Sequence, residues 1–145
     1  MPPTHLILGY GNTLRGDDGV GPHAASLLAA EGLHVISRHQ LTPELAEDLA
    51  AVDLAVFLDA HVDLAPGEVR VESIEPAEAP PAHSIHAFDA MGLLQLTHKL
   101  YGRSPKAYLV GIGGESFELS ETLSPAAEAG AREAITAVRK LLATV

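Results

Sequence analysis

The chain has 145 residues, of which 47% are hydrophobic and 19% are charged, with a formal net charge of -10 and no cysteine. This length suits one domain with its own core, and the negative charge argues against nucleic acid or an anionic membrane surface as a partner. The absence of cysteine excludes disulfides and thiolate metal sites, so any metal must be held by His, Asp or Glu. No basic region followed by a long apolar segment begins the chain, and we expect a cytoplasmic protein without membrane insertion.

Short apolar runs alternate with amphipathic segments along the chain, which indicates strands alternating with helices. The strands are predicted at 5–8, 34–37, 54–58, 68–74 and 107–112. The run at 54–58 is continuously apolar, as is typical of a strand buried on both faces of a parallel sheet. The connection from Asp59 to Gly67 is too short for a crossover helix, so the strand at 68–74 is predicted to be antiparallel and near an edge.

Helix starts are marked by capping residues and prolines. One helix is predicted after the first strand, one from Pro43 with Thr42 as its cap, one from a cap at Ser84 with His86 in the first turn, and one from Ser124 and Pro125. These elements predict a single α/β domain over residues 1–145. It has three layers, in which helices cover both faces of a twisted, mostly parallel sheet with one antiparallel strand.

The loop after the first strand, GYGNTLRGDDGVG at 9–21, combines five glycines with two adjacent carboxylates. A dinucleotide fingerprint needs a third glycine where Leu14 stands, and a phosphate loop needs a Gly-Lys-Ser/Thr ending that is absent. Paired carboxylates beside flexible backbone suit a cation or an acid/base role instead. We expect positive φ angles and close backbone approach at Gly11 and Gly16.

The candidate chemical groups converge on one edge of the predicted sheet, because ligands of such folds bind beyond the carboxyl ends of parallel strands. Asp18 lies in the first loop, Asp59 ends the third strand, and His86 opens a helix. Together they offer two oxygens and one imidazole to zinc, nickel or a similar ion, with an open position. Taken singly, Asp18 suits a helix cap, Asp59 a strand-end hydrogen-bond acceptor and His86 a surface position equally well.

The other histidines are weaker candidates. We interpret His5, His34, His39 and His98 as structural or solvated, and treat His23, His61 and His83 as rivals of the candidate groups, with His61 the strongest. Neither a Gly-x-Ser-x-Gly elbow nor a cysteine nucleophile is present, so water activation is the chemistry that remains.

Four segments, in order, resemble the hydrogenase maturation endopeptidases, which trim the C-terminal extension of a [NiFe]-hydrogenase large subunit after nickel insertion. They are LGYGNTLRGDDGVG, VFLDA around Asp59, SIHAFD around His86, and GIGGESFELSETLSP before the last helix. The resemblance implies that Asp18, Asp59 and His86 contact nickel, and that the nickel belongs to the substrate and marks it for cleavage. The same three residues are the expected catalytic groups, through carboxylate-assisted hydrolysis.

The resemblance also implies a nickel-loaded large-subunit precursor as partner and no tightly bound cofactor, and we expect a monomer. The segment HQLTPELAEDL at 39–49 resembles a subset of the family around its substrate-binding loop. The expected substrate contacts are Gly11, Asn12, Asp17, Thr42, Glu44 and Glu115. The alternatives are a noncatalytic maturation chaperone that binds nickel or the precursor and, more distantly, a nucleotide-binding module.

Overall fold

The computed structural model describes residues 4–78 and 89–144. Within these residues five strands form one sheet in the order β2-β1-β3-β5-β4. Their bounds are β1 His5–Tyr10, β2 Val35–Arg38, β3 Leu54–His61, β4 Val69–Ile74 and β5 Lys106–Gly113. All five strand predictions are confirmed, because each rests on a short apolar run bounded by turn residues.

Four α-helices accompany the strands in the described part of the chain. They are α1 Val20–Ala30, α2 Leu45–Ala50, α3 Ala90–Tyr101 and α4 Pro125–Ala143. A single turn of 3-10 helix, Gly16–Gly19, joins the first loop to α1.

The sheet is mixed, as its connections predict. Strands β1, β2, β3 and β5 run parallel, and β4 pairs antiparallel with β5 at the edge of the sheet. The expected antiparallel edge strand is therefore confirmed. Much of this edge strand is open to solvent, and Val71 is 43% exposed.

Two apolar clusters hold the three layers together. Successive residues of a strand point to opposite faces, so Leu6 and Leu8 pack with α2 and α3 while Ile7 packs with α1 and α4. Strand β3 alternates in the same way, with Phe57 on the α2/α3 face and Leu58 on the other. The α/β three-layer prediction is confirmed.

Helix α4 begins as predicted. The hydroxyl of Ser124 accepts a hydrogen bond from the Ala127 amide at 3.1 Å, and Pro125 occupies the first helical position, where its missing N–H costs nothing. Ala127, Ala131, Ile135 and Val138 are buried on the expected face.

The predicted start of α2 is wrong by two residues. The helix begins at Leu45, with Glu44 at the cap position and no side-chain cap. The carbonyls of Thr42 and Pro43 instead accept hydrogen bonds from the amides three residues later, those of Leu45 and Ala46, at 3.1 and 3.0 Å. A tight turn thus precedes the helix where the sequence indicated its first residues.

The described part of α3 starts later than its predicted cap at Ser84, which lies outside the described residues together with His86. The Asp89 carboxylate caps the described helix by accepting from the Gly92 amide at 2.8 Å. Two apolar residues of α3 face solvent, since Met91 is 41% exposed and Leu100 is 60% exposed. None of the helices described here has the length and apolar character needed to cross a membrane.

Candidate functional site

A cavity of about 480 Å³ opens at the carboxyl ends of β1 and β3. Its wall is formed by Tyr10, Gly11, Asp18, Asp59, Asp89 and the segment 39–43. Asp18 and Asp59, from separate parts of the chain, therefore meet at the edge of the sheet where the topology predicted a ligand site.

Sheet register brings Tyr10 and Asp59 together. Gly9 and Leu58 are paired neighbours on parallel strands, so the next residues, Tyr10 and Asp59, stand side by side where β1 ends, two residues before the end of β3. Strand alternation directs both to the α2/α3 face. There the ring of Tyr10 packs edge-on against Phe57, with ring centroids 6.5 Å apart.

Asp18 reaches the cavity because the first loop folds back on itself. The Asn12 amide donates to Oδ2 of Asp18 at 2.7 Å, which fixes the carboxylate. Gly11 has a φ of 148°, and a Cβ at this position would lie 2.0 Å from the carbonyl oxygen of Asp18. The alternative role of Asp18 as cap of α1 is not realised, since Gly19 holds the cap position without a side-chain bond.

The electrostatics of the cavity favour a protonated Asp59. Burial and, to a smaller degree, the charge of Asp18 raise the pKa of Asp59, and hydrogen bonding to the Tyr10 hydroxyl opposes them, so that the pKa rises overall from 3.8 to about 7. Burial and the neighbouring Asp59 also raise the pKa of Tyr10 above its ordinary value, so the phenol stays protonated. A carboxyl group that titrates near neutrality can both accept and return a proton.

Asp17 points away from the cavity and into the protein. It is 1% exposed, and its Oδ2 accepts bonds from the Glu115 amide at 2.7 Å and the Ser116 amide at 3.3 Å. Ser124 donates to the same carboxylate through both its amide and its hydroxyl, each at 2.7 Å. Burial raises the pKa of Asp17, but these bonds outweigh burial and lower it.

Solved structures of known proteins have the same fold. The endopeptidase HybD from E. coli, which matures hydrogenase, superposes with a TM-score of 0.80 at 27% identity, over 97% of this chain and 92% of that one. The [NiFe] hydrogenase maturation protease HybD from Thermococcus kodakarensis is 30% identical, with a TM-score of 0.75, over 94% of this chain and 97% of that one. The chain belongs to the [NiFe] hydrogenase maturation protease family.

A third similar structure is the maturation protease HycI from Thermococcus kodakarensis, at 26% identity and a TM-score of 0.73, over 95% of this chain and 91% of that one. A scan of protein-family models finds no match, and a search of curated proteins finds none either. The family resemblance in the sequence is confirmed, and the protein is an endopeptidase.

The substrate contacts expected from sequence divide into two groups. Gly11 and Thr42 line the cavity of the protease with Asp18 and Asp59. The other four residues lie outside the cavity wall: Asn12, Asp17, Glu44 and Glu115. Asn12 supports Asp18 through its backbone, and the buried, fully engaged carboxylate of Asp17 does not fit a substrate contact.

Three titratable residues of the cavity wall were not among the predicted site residues. His39, interpreted from sequence as structural or solvated, is exposed and lines the cavity. Tyr10 and Asp89 also line it. The motifs GYGN and SIHAFD contain Tyr10 and Asp89, so their position in the motifs was the available signal. The rival His61 is outside the wall, where its ring covers Gly111.

The cavity continues into a groove along the ends of β1 and β2. A second cavity of about 230 Å³ shares Gly11 and His39 with the first, and a third of about 370 Å³ shares Thr13, Pro22 and Ser37 with the second. We call the second and third cavities together the β2 groove. Its wall also includes Arg38, His23, Ser26, Glu121 and Leu123. Because neighbouring cavities share wall residues, the three together form an elongated surface of the protease that ends at Asp18 and Asp59.

Within residues 4–78 and 89–144, no group of three or more His, Asp or Glu side chains is close enough to hold a metal ion. The described part of the site supplies the two carboxylates of the predicted set, Asp18 and Asp59, and the third residue, His86, falls outside it.

Proposed function

We propose that this protease removes the C-terminal extension of a [NiFe]-hydrogenase large-subunit precursor after nickel insertion. The observation that carries the proposal is that Asp18 and Asp59 line one cavity at the carboxyl edge of the sheet. The two similar HybD proteins are named for hydrogenase maturation, which supports a hydrogenase precursor as the partner here. We also propose that the protein acts in the cytoplasm and as a monomer.

Nickel enters this proposal as part of the substrate. Asp18 and Asp59 offer carboxylate oxygens, and His86 is proposed as the imidazole that completes the set on the basis of the SIHAFD motif. Borderline divalent ions accept such mixed oxygen and nitrogen ligands. Because the remaining ligands would come from the precursor, only a nickel-loaded precursor would be held in register for cleavage.

Asp59 is the proposed general base. In the metal-free protein its pKa of about 7 leaves a substantial fraction ionised at neutral pH, and this carboxylate is placed to take a proton from the attacking water. The resulting hydroxide adds to the scissile carbonyl carbon, and the C–N bond then breaks. The proton held by Asp59 passes to the leaving amine, which restores the carboxylate. Asp18 contributes negative charge and an oxygen ligand beside it.

The β2 groove is the proposed path of the precursor's extended tail. An extended chain rises about 3.3 Å per residue and needs an elongated surface, which a single compact cavity does not offer. Thr13, Ser26 and Ser37 supply hydroxyl groups along the groove, and Arg38 supplies a positive charge within a strongly acidic protein. The hydroxyl groups can form hydrogen bonds with a peptide backbone, and Arg38 can pair with carboxylate groups of the tail.

The proposed function is tested by incubating the protein with nickel-loaded and nickel-free precursor and measuring product masses. We expect loss of a C-terminal peptide from the loaded precursor without added metal, and no cleavage of the nickel-free form. Elemental analysis should show well under one metal per isolated protein chain. Equal cleavage of both precursor forms would contradict nickel recognition, and an intact loaded precursor would contradict the proposed activity.

The noncatalytic chaperone considered from sequence would bind the loaded precursor and leave its mass unchanged. Family membership favours the protease, because the similar proteins are named endopeptidases and proteases.

A further inference from the structure

One carboxylate closes a long loop beside the site. Asp17 accepts bonds from the Glu115 and Ser116 amides at the start of the loop 114–124, and from the amide and hydroxyl of Ser124 at its end. We call this set of four hydrogen bonds the Asp17 clamp. Both ends of the loop are thus tied to the residue that precedes Asp18.

The backbone continues the same connection. The Asp17 amide donates to the Ser116 carbonyl and the Gly16 amide to the Ser120 carbonyl, each at 2.8 Å, and the Ser120 amide donates to Leu14 at 2.9 Å. A short parallel bridge joins Arg15 to Ser120. The first two residues of the 3-10 turn that carries Asp18, together with Leu14 and Arg15 before it, are therefore paired with the loop 114–124.

Packing leaves the turn little freedom. A Cβ on Gly114 would lie 2.9 Å from the Cβ of Asp17, and a Cβ on Gly16 would lie 2.6 Å from the Ser116 carbonyl oxygen. The turn and the loop leave no room between them for even one added methyl group. A shift of the loop would therefore be transmitted to the turn.

We propose that Asp17 is a positioning residue: the clamp to the loop 114–124 holds the turn so that the neighbouring Asp18 carboxylate faces the cavity. The inference rests on the proposed role of Asp18 in the function above. It assigns to Asp17 an action through Asp18 rather than contact with substrate, in place of the contact expected from sequence.

The chemistry of the clamp requires a carboxylate. Three amides and one hydroxyl donate to its two oxygens, and an asparagine would replace one acceptor by an N–H group that faces other donors. The Ser124 hydroxyl has one proton, which it gives to Asp17, while its oxygen accepts from the Ala127 amide. Ser124 therefore joins the clamp to the start of α4.

Hydrogen exchange of the Asn12 amide reports the position of Asp18 directly, because this amide donates to the Asp18 carboxylate at 2.7 Å. In the isolated protein we expect Asp17→Asn to speed exchange of the Asn12 amide by about tenfold or more. Ser124→Ala should act in the same direction, and Ser124→Thr, which keeps the hydroxyl, should restore protection. The measurement needs no substrate, so its outcome is independent of whether the proposed function is correct.

The matched control is Val138→Ala, which removes buried packing from α4 far from the site. Val138 lies 13 residues into the helix from Pro125, about 20 Å along its axis. This variant should lose thermal stability without changing the exchange of the Asn12 amide relative to the other amides of the turn.

Kinetics on the nickel-loaded precursor supply the second readout. If Asp17 positions Asp18, Asp17→Asn should lower kcat by about tenfold or more with KM near the wild-type value. Val138→Ala should leave both kcat and KM unchanged. Unchanged Asn12 protection in folded Asp17→Asn or Ser124→Ala would overturn the inference. Equal changes in Val138→Ala would also overturn it, because the effect would then be one of general stability. Should Asp17→Asn fail to fold, the two Ser124 variants carry the test.

Discussion

The negative charge of Asp18 raises the pKa of Asp59 across the cavity that both residues line. Burial is the larger cause, and together the two effects bring the pKa of Asp59 from 3.8 to about 7. The charge of Asp18 makes ionisation of Asp59 more costly, so the closeness of the two residues opposes stability while providing a base that works at neutral pH.

The first prediction concerns this coupling in the metal-free protein. The carboxyl carbon of Asp59, followed by NMR during a pH titration, should show a pKa of about 7. Asp18→Asn should lower the pKa of Asp59, because it removes a negative charge. The control Asp63→Asn, at an exposed position just beyond β3, should leave the pKa of Asp59 unchanged. An Asp59 pKa near 4 in the wild-type protein would contradict the prediction.

The second prediction concerns stability. A group whose pKa is raised on folding contributes stability that is fully present below its unfolded pKa, here 3.8, and is lost as pH rises through about 7. Asp59→Asn stays uncharged and avoids this loss. We therefore expect the variant to have the higher Tm at pH 8.5, and expect the difference from wild type to shrink towards pH 4. A difference in Tm that does not vary with pH would argue against the raised pKa.

The third prediction concerns the proposed catalytic residues. Asp59→Asn should slow processing of nickel-loaded precursor by about 100-fold or more, the range expected when a general base is lost. Asp18→Asn and His86→Ala should each abolish processing, because each removes a proposed nickel ligand. The variants should remain folded by circular dichroism. Asp63→Asn, which changes an exposed carboxylate near the strand end, should cleave at the wild-type rate. Normal processing by all three folded variants would show that the site is elsewhere.

The fourth prediction separates backbone strain from a steric clash. Gly11 and Gly32 both have positive φ, but a Cβ at Gly11 meets the Asp18 carbonyl whereas a Cβ at Gly32 meets nothing within 4 Å. Gly32→Ala should lower the free energy of unfolding by about 1 kcal/mol, and Gly11→Ala by at least about 2 kcal/mol more, because atoms must also move apart. Urea unfolding measures both values. Equal losses would show that the turn around Asp18 can shift to accept a side chain.

The fifth prediction tests the β2 groove. Ser37 is exposed and lines both of its cavities, so Ser37→Trp should obstruct the groove and raise KM for the precursor by about tenfold, with a smaller change in kcat. The matched control is Ser73→Trp, an exposed serine of β4 whose β5 partner is Tyr108, towards the amino end of that strand. A wild-type KM for Ser37→Trp would place the precursor's tail outside the groove.

The sequence by itself determined the strands, the three-layer class and the antiparallel edge strand. These follow from local patterns: continuous apolar runs such as 54–58, and a connection after Asp59 too short for a crossover. The start of α4 at Ser124 also follows from a local signal, because a capping residue and a proline act within one helical turn. The start of α2 could not be predicted from local sequence, because Thr42 and Pro43 fit either a first helical turn or the tight turn that forms.

Only the tertiary structure decided what each acidic residue does. Asp17 and Asp18 are adjacent and chemically identical, and the sequence predicted a role in the site for both. The folded chain supplies Asp17 with donors from Glu115, Ser116 and Ser124, whereas Asp18 faces the cavity. Likewise, pairing of β1 with β3 brings Tyr10 beside Asp59. Such contacts join residues far apart in the chain, and a side chain's role then depends on partners that no local pattern specifies.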